Sequence, residues 1–79
     1  MVMLPEEECI LDFIAKVLNV PKSKIKRDKK MIFYIKGDLD TIFLELELEE
    51  FYHLPDISIE GDMLISEIIQ LVLDTLKYR

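Results

Sequence analysis

Several features that are common in small proteins are scarce or missing in this chain of 79 residues. There is no tryptophan, and there are only two glycines, three prolines, one cysteine and one histidine. With so few glycines and prolines, long flexible stretches are not expected. The single cysteine, Cys9, cannot form an internal disulfide, and no second cysteine stands near it to form a zinc site. We therefore expect a globular protein of a reducing compartment, the cytoplasm.

Long hydrophobic runs are missing as well, although 51% of the residues are hydrophobic. No window approaches the roughly 18 unbroken apolar residues that a transmembrane helix needs. The first residues, MVMLPEEECI, are acidic rather than basic, which is not typical of a signal or transit peptide. The length suits one core rather than two, so residues 1–79 are expected to form a single domain.

Charge is distributed unevenly along the chain, whose formal net charge is -6. Six of the ten basic residues lie between Lys22 and Lys30, whereas residues 38–50 carry six carboxylates and no base. A negative field repels phosphate backbones and anionic lipid, so nucleic acid and membrane surfaces are not expected partners. A basic surface of another protein is favoured instead. The basic run is interpreted as a solvated loop that offsets the acidic segment.

Two segments have the apolar spacing of amphipathic helices. The first is predicted over Pro5–Leu18, with an apolar stripe formed by Ile10, Phe13, Ile14, Val17 and Leu18. Asn19 readily adopts the left-handed conformation that ends many helices, and Pro21 prevents continuation. The last helix is predicted over 63–76. Residues 21–38 between them read as a long connection, whose apolar residues 31–35 are expected to cover the open end of the bundle.

The segment 39–53 is ambiguous. Residues 44–49 alternate between Leu and Glu, as in a half-buried strand, but its apolar residues also recur at helical spacing. Leu and Glu are strong helix formers, which favours a helix. The predicted fold is therefore all-α, a small three- to four-helix bundle with a long first loop. The alternative is α+β, with two or three strands between two helices and residues 31–36 pairing with 42–48.

Catalytic and metal-binding patterns are not evident. Cys9 falls on or beside the stripe of the first helix, where a buried structural thiol is expected rather than a nucleophile. His53 follows the acidic segment, where a helix C-terminus stabilises a cationic imidazole. The acidic clusters 38–40 and 56–62 lack the spacing of a calcium loop, and the two glycines are too far apart for a phosphate-binding loop. We expect neither an enzyme nor a metal site.

Over nearly its whole length the chain resembles an acyl carrier protein. Leu18-Asn19-Val20 resembles the family's Leu-Gly-Val at the end of the first helix, and residues 37–41 (GDLDT) resemble the Asp-Ser-Leu-Asp-Thr that opens the second. Residues 48–50 (LEE) and 65–72 (ISEIIQLV) are similar to later parts of the family pattern. The resemblance implies a small acidic four-helix bundle whose second helix is recognised by basic patches of partner enzymes.

The sequence departs from that family at the position that matters most for carrier activity. The family attaches phosphopantetheine to the serine of Asp-Ser-Leu, where this chain has Asp38, preceded by Gly37. A carboxylate offers no hydroxyl to phosphorylate, so the resemblance implies a carrier-like protein without phosphopantetheine. Thr41 lies one helical turn later, and Ser58 and Ser66 lie in other elements, so none of them takes the place of this serine in the family pattern. A true carrier that is modified at an unexpected hydroxyl is a third, less favoured alternative.

The remaining role of the second helix is contact with the basic surface of a partner protein, such as a biosynthetic enzyme. The residues expected in that contact are Asp38, Asp40, Glu45, Glu49 and Glu50. The alternative function belongs to the α+β fold: a small acidic inhibitor of immunity or antitoxin type that blocks a basic site.

Overall fold

Three α-helices make up most of the protein. The computed structural model describes residues 5–35 and 37–78, without the side chains of Asp38 and Tyr78. In chain order the elements are α1 (Pro5–Leu18), short 3-10 turns at Lys22–Lys24 and Met31–Phe33, α2 (Asp38–Tyr52) and α3 (Ile65–Tyr78). The described residues contain no β-strand, so the all-α prediction is confirmed at this level. The hairpin of the α+β alternative does not form, because α2 occupies residues 38–52.

Left-handed residues end the first two helices. Asn19 has φ 57° directly after α1, as its sequence position predicts. His53 has φ 56° after α2, and its backbone N–H donates to the Glu49 carbonyl. In this conformation the chain turns away from the helix axis while a free carbonyl of the last turn gains a donor. Residues 54–64 connect α2 to α3 and form neither a helix nor a strand.

One apolar core joins the three helices, and α1 contacts both α2 and α3. The described residues have no buried polar or charged side chain. The side chains of the core that are fully excluded from solvent are Ile14, Met31, Leu44, Leu48, Ile65, Ile68, Ile69 and Val72. The radius of gyration of the Cα atoms is 11.5 Å, close to the ~11.6 Å expected of a folded chain of this length.

A set of backbone hydrogen bonds fixes the long first loop against the start of α3. The amides of Ile65 and Ser66 donate to the carbonyls of Lys29 and Arg27, over 2.9 and 3.0 Å. In the opposite direction the amides of residues 31 and 32 donate to the carbonyls of residues 63 and 61. We call this contact between residues 27–32 and 61–66 the seam. It supplies acceptors for N–H groups that a helix N-terminus leaves free.

The apolar residues of the first loop divide between core and surface. Met31 is fully buried and Ile25 is 5% exposed, so the loop does cover one end of the bundle. Ile32 and Phe33, however, are 62% and 69% exposed. The prediction that the whole apolar patch packs down is therefore wrong for these two side chains. In the 3-10 turn at residues 31–33 only Met31 is buried, while its two successors project outward.

Candidate functional site

Helix α2 is apolar on two opposite faces. Leu44 and Leu48 are fully buried against the core. A second set, four large side chains at the spacing i, i+3, i+4 and i+7, lies on the solvent side, with exposed fractions between 48% and 78%. These residues, which we call the outer row, are Leu39, Ile42, Phe43 and Leu46. A helix that only packs against its own bundle needs one apolar stripe, so the outer row has no role in the core.

The segment that follows α2 is hydrogen-bonded to the side of α2 next to Ile42. The Glu49 carboxylate accepts a hydrogen bond from the Ile57 amide over 3.0 Å, and the Glu45 carboxylate accepts one from the Ile59 amide over 3.1 Å. Both carboxylates are half-buried. These two bonds, which we call the clamp, satisfy backbone donors in a segment without regular structure and hold Ile59 in the core.

We expect Glu45→Ala and Glu49→Ala each to lower the free energy of unfolding by about 1 kcal/mol, because each leaves a partly buried amide without its charged acceptor. Amide hydrogen exchange at Ile59 and Ile57, respectively, should become faster. Glu50→Ala is the matched control, because Glu50 is exposed and its removal should change stability by less than about 0.5 kcal/mol. Equal exchange rates in Glu45→Ala and the parent protein would contradict this role.

The predicted partner-binding carboxylates therefore differ in their surroundings. Glu50 is exposed and continues the line of the outer row beyond Leu46, whereas Asp40 is half-buried. Glu45 and Glu49 each use one oxygen in the clamp. Asp38 begins α2, but its side chain lies outside the described part of the chain. The structure thus brings the predicted residues onto one helix and gives two of them an internal task that sequence reasoning missed.

Sequence reasoning also missed the apolar surface between these carboxylates. The sequence did indicate this surface, because residues 38–52 contain more apolar residues at helical spacing than one buried face requires. Beside the outer row lies an open groove of about 460 Å³ whose lining includes Ile32, Ile35, Thr41, Ile42 and Ile59. Ile42 belongs to both features, so the outer row borders a groove that the exposed Ile32 of the first loop also lines.

On the other flank, α2 contacts α1 through aromatic rings. The ring centroids of Phe13 and Phe51 are 4.8 Å apart, and Tyr52 lies 4.9 Å from Phe51 in an edge-on arrangement. Partial burial raises the pKa of the Tyr52 phenol above its ordinary value of 10.0, and charge on the nearby Cys9 raises that pKa further. Cys9 itself is exposed. The expectation of a buried thiol is wrong, because Cys9 lies beside the buried stripe of α1 rather than on it.

Two basic residues of the first loop, Lys22 and Arg27, pair with carboxylates of α1. Arg27 donates to the Glu7 carboxylate over 2.7 Å, and the Lys22 ammonium lies 3.1 Å from the Asp12 carboxylate. Lys29 is exposed, and its ammonium lies 5.4 Å from the centre of the Phe33 ring, a distance typical of a cation–π contact. Specific contacts to α1 thus account for two residues of this run, while the four others, Lys24, Lys26, Lys29 and Lys30, are exposed, as in the interpretation of a solvated loop.

The residues at the start of α2 do not fit a phosphopantetheine group. Residue 38 supplies a carboxyl group, and the nearest hydroxyl along the helix, that of Thr41, lines the groove described above. Ser58 lies in the segment after α2, and Ser66 lies in α3. Within residues 5–35 and 37–78 no cluster of three or more His, Cys, Asp or Glu side chains could hold a metal ion.

Comparison with protein-family models, with curated proteins and with solved structures finds no match to this chain. No helix in the described part of the protein is both long and apolar enough to cross a membrane. The geometry of α2 is therefore the basis for any functional assignment.

Proposed function

We propose that this protein is an acyl-carrier-like helical domain that carries no phosphopantetheine and acts by presenting α2 to a basic surface of a partner protein. The observation that carries the proposal is the outward face of α2, an exposed apolar row next to carboxylates. Protein interfaces combine an apolar centre with a charged rim in this way. The resemblance of residues 37–52 to the second helix of acyl carrier proteins supports the same assignment, with a biosynthetic enzyme as the partner.

Within this proposal the carboxylates have different roles. Glu50 is the principal rim charge, because it is exposed at the end of the outer row. Asp40 and Asp38 extend the negative potential to the start of α2. The main role of Glu45 and Glu49 is in the clamp, which fixes the segment beside the helix. Their charge also attracts the partner, as a lesser role. Rim charges of this kind govern the association rate and the choice of partner more than the final affinity.

A phosphopantetheinyl transferase that accepts many carrier proteins offers a defined probe for this surface. We expect the unmodified chain to bind it measurably in a surface plasmon resonance experiment, and Glu50→Lys to weaken binding about tenfold at low salt. Raising the salt concentration should reduce the difference, because exposed charges are screened.

Asp74→Lys is the matched control for this charge reversal, since Asp74 is an exposed carboxylate on α3. It changes the net charge by the same amount as Glu50→Lys, so a specific contact predicts that it leaves binding within about twofold. Equal loss of binding in both variants would show that only net charge matters. Absence of binding by the parent protein would contradict recognition as a carrier-like domain.

A further inference from the structure

A second groove lies between α1 and the last turn of α2. Its volume is about 640 Å³, and sites for small molecules usually measure roughly 300–1,000 Å³. None of its lining residues belongs to the outer row or to the clamp, so this groove is separate from the surface assigned to the partner protein. The groove is lined by Cys9, Asp12, Phe13 and Lys16 of α1 and by Phe51 and Tyr52 of α2.

Aromatic rings form the apolar wall of this groove. The ring centroids of Phe13 and Phe51 are 4.8 Å apart, and the Tyr52 ring lies 5.9 Å from the first and 4.9 Å from the second. Phe51 is nevertheless 61% exposed, although it follows the fully buried Leu48 by only three residues. A flat aromatic group can contact the open part of this ring, and such ring pairs are favourable beyond the area that they bury.

The groove also carries a positive charge without a carboxylate partner. Its charged lining residues are Asp12 and Lys16. The Asp12 carboxylate is paired with the Lys22 ammonium over 3.1 Å, whereas Lys16 forms no salt bridge within residues 5–35 and 37–78. Lys16 follows Phe13 by three residues on α1, so the two side chains are neighbours on the helix surface. A ligand that lies against the rings therefore has an unpaired ammonium group near its edge.

We propose that this groove binds a small planar aromatic molecule with one negative charge, such as an aromatic carboxylate. The rings contact the flat face of the ligand, and Lys16 pairs with its anionic group. A cationic ligand would meet Lys16 with like charge, and an aliphatic ligand would lose the ring contacts. The net charge of -6 opposes an anion at long range, so the rings supply most of the affinity and Lys16 supplies the preference for an anion.

Three naphthalene derivatives that differ mainly in charge test the proposal: naphthoate, naphthylmethanol and naphthylmethylammonium. In a titration followed by amide NMR chemical shifts, naphthoate should bind with a Kd on the order of 1 mM or lower. The largest shifts should fall on residues that line the groove. The alcohol should bind about two- to fivefold more weakly, and the ammonium compound more weakly still. Absence of naphthoate binding, largest shifts in the outer row, or equal or tighter binding of the cation overturns the proposal.

Substitutions separate the role of the charge from that of the rings. Lys16→Gln should remove the preference for naphthoate over the alcohol and leave the affinity for the alcohol within about twofold. Phe51→Ala should weaken binding of both compounds about three- to tenfold. Leu46→Ala is the matched control, because it truncates an exposed side chain of the same helix outside the groove. A preference that survives Lys16→Gln, or equal losses in Phe51→Ala and Leu46→Ala, overturns the proposal.

Cys9 gives an independent readout of the position of the ligand. It is the only cysteine of the chain, it is exposed, and it lines the groove. Saturating naphthoate should slow alkylation of Cys9 by iodoacetamide about threefold or more, because access controls the reaction of a thiol. Intact-protein mass spectrometry would follow the reaction, and free glutathione, whose alkylation should not change, is the control. An unchanged rate at Cys9 under saturation overturns the proposal.

Discussion

Leu48→Ala is expected to lower the free energy of unfolding by about 2–5 kcal/mol. The Leu48 side chain is fully excluded from solvent, so its truncation removes buried methyl groups and leaves a cavity between α2 and the rest of the core. The total stability of a domain of this length is on the order of 4–12 kcal/mol. The substitution therefore removes a large share of it, which urea denaturation followed by circular dichroism would measure.

Leu46→Ala provides a matched control on the same helix. Both positions carry leucine in a run of alternating Leu and Glu, but Leu46 is 57% exposed and faces away from the core. Its truncation should change the free energy of unfolding by less than about 0.5 kcal/mol. Similar losses for both leucines would mean that the two faces of α2 are assigned wrongly.

The second prediction with a large expected effect is that two substitutions at the start of α2 allow phosphopantetheine to be attached. Asp38→Ser combined with Gly37→Asp re-creates Asp-Ser-Leu at the start of α2. We expect this variant to accept phosphopantetheine from coenzyme A and a broadly specific phosphopantetheinyl transferase, and the parent protein to stay unmodified. Intact-protein mass spectrometry would detect the added group. The backbone tolerates aspartate at position 37, because Gly37 is extended at φ -175° and an added Cβ meets nothing within 4 Å.

Two further variants locate the modification in this experiment. Thr41→Val in the Asp-Ser-Leu background should leave modification intact, since the new serine and not Thr41 carries the group. Asp38→Asn keeps the shape of residue 38 without a hydroxyl and should remain unmodified. Modification of the parent protein would contradict the absence of carrier chemistry. A folded but unmodified Asp-Ser-Leu variant would count against the resemblance to acyl carrier proteins.

Local signals predicted the helices well. The stripe of α1, the left-handed Asn19 and the following Pro21 act within one or two turns of each other, and the predicted bounds of α1 coincide with the observed Pro5–Leu18. The middle segment was harder, because its Leu/Glu alternation fits a strand while its wider spacing fits a helix. Helix propensity was the better guide there, and α2 spans Asp38–Tyr52.

Features that join distant parts of the chain left no local signal. Nothing in the sequence predicts that Glu45 and Glu49 accept hydrogen bonds from residues 59 and 57, because a carboxylate on a helix looks the same whether it faces solvent or a neighbouring segment. The exposure of Ile32 and Phe33 could not be predicted from the sequence, for a similar reason. Apolar character indicates burial on average, but which of five successive apolar residues point inward depends on a turn that tertiary contacts select.

The clamp and the seam close loops of different lengths, and this difference predicts which of them forms first during folding. The clamp joins residues only 8 and 14 positions apart, so α2 and the segment behind it organise by closing short loops. The seam connects residues separated by roughly thirty to forty positions and requires closure of a much longer loop. Contacts between distant positions slow folding, so α2 with its clamp is expected to form first and the seam to close last. Until the seam closes, the start of α3 lacks the loop carbonyls that accept its first amides, and the first loop remains exposed to proteases and to other chains.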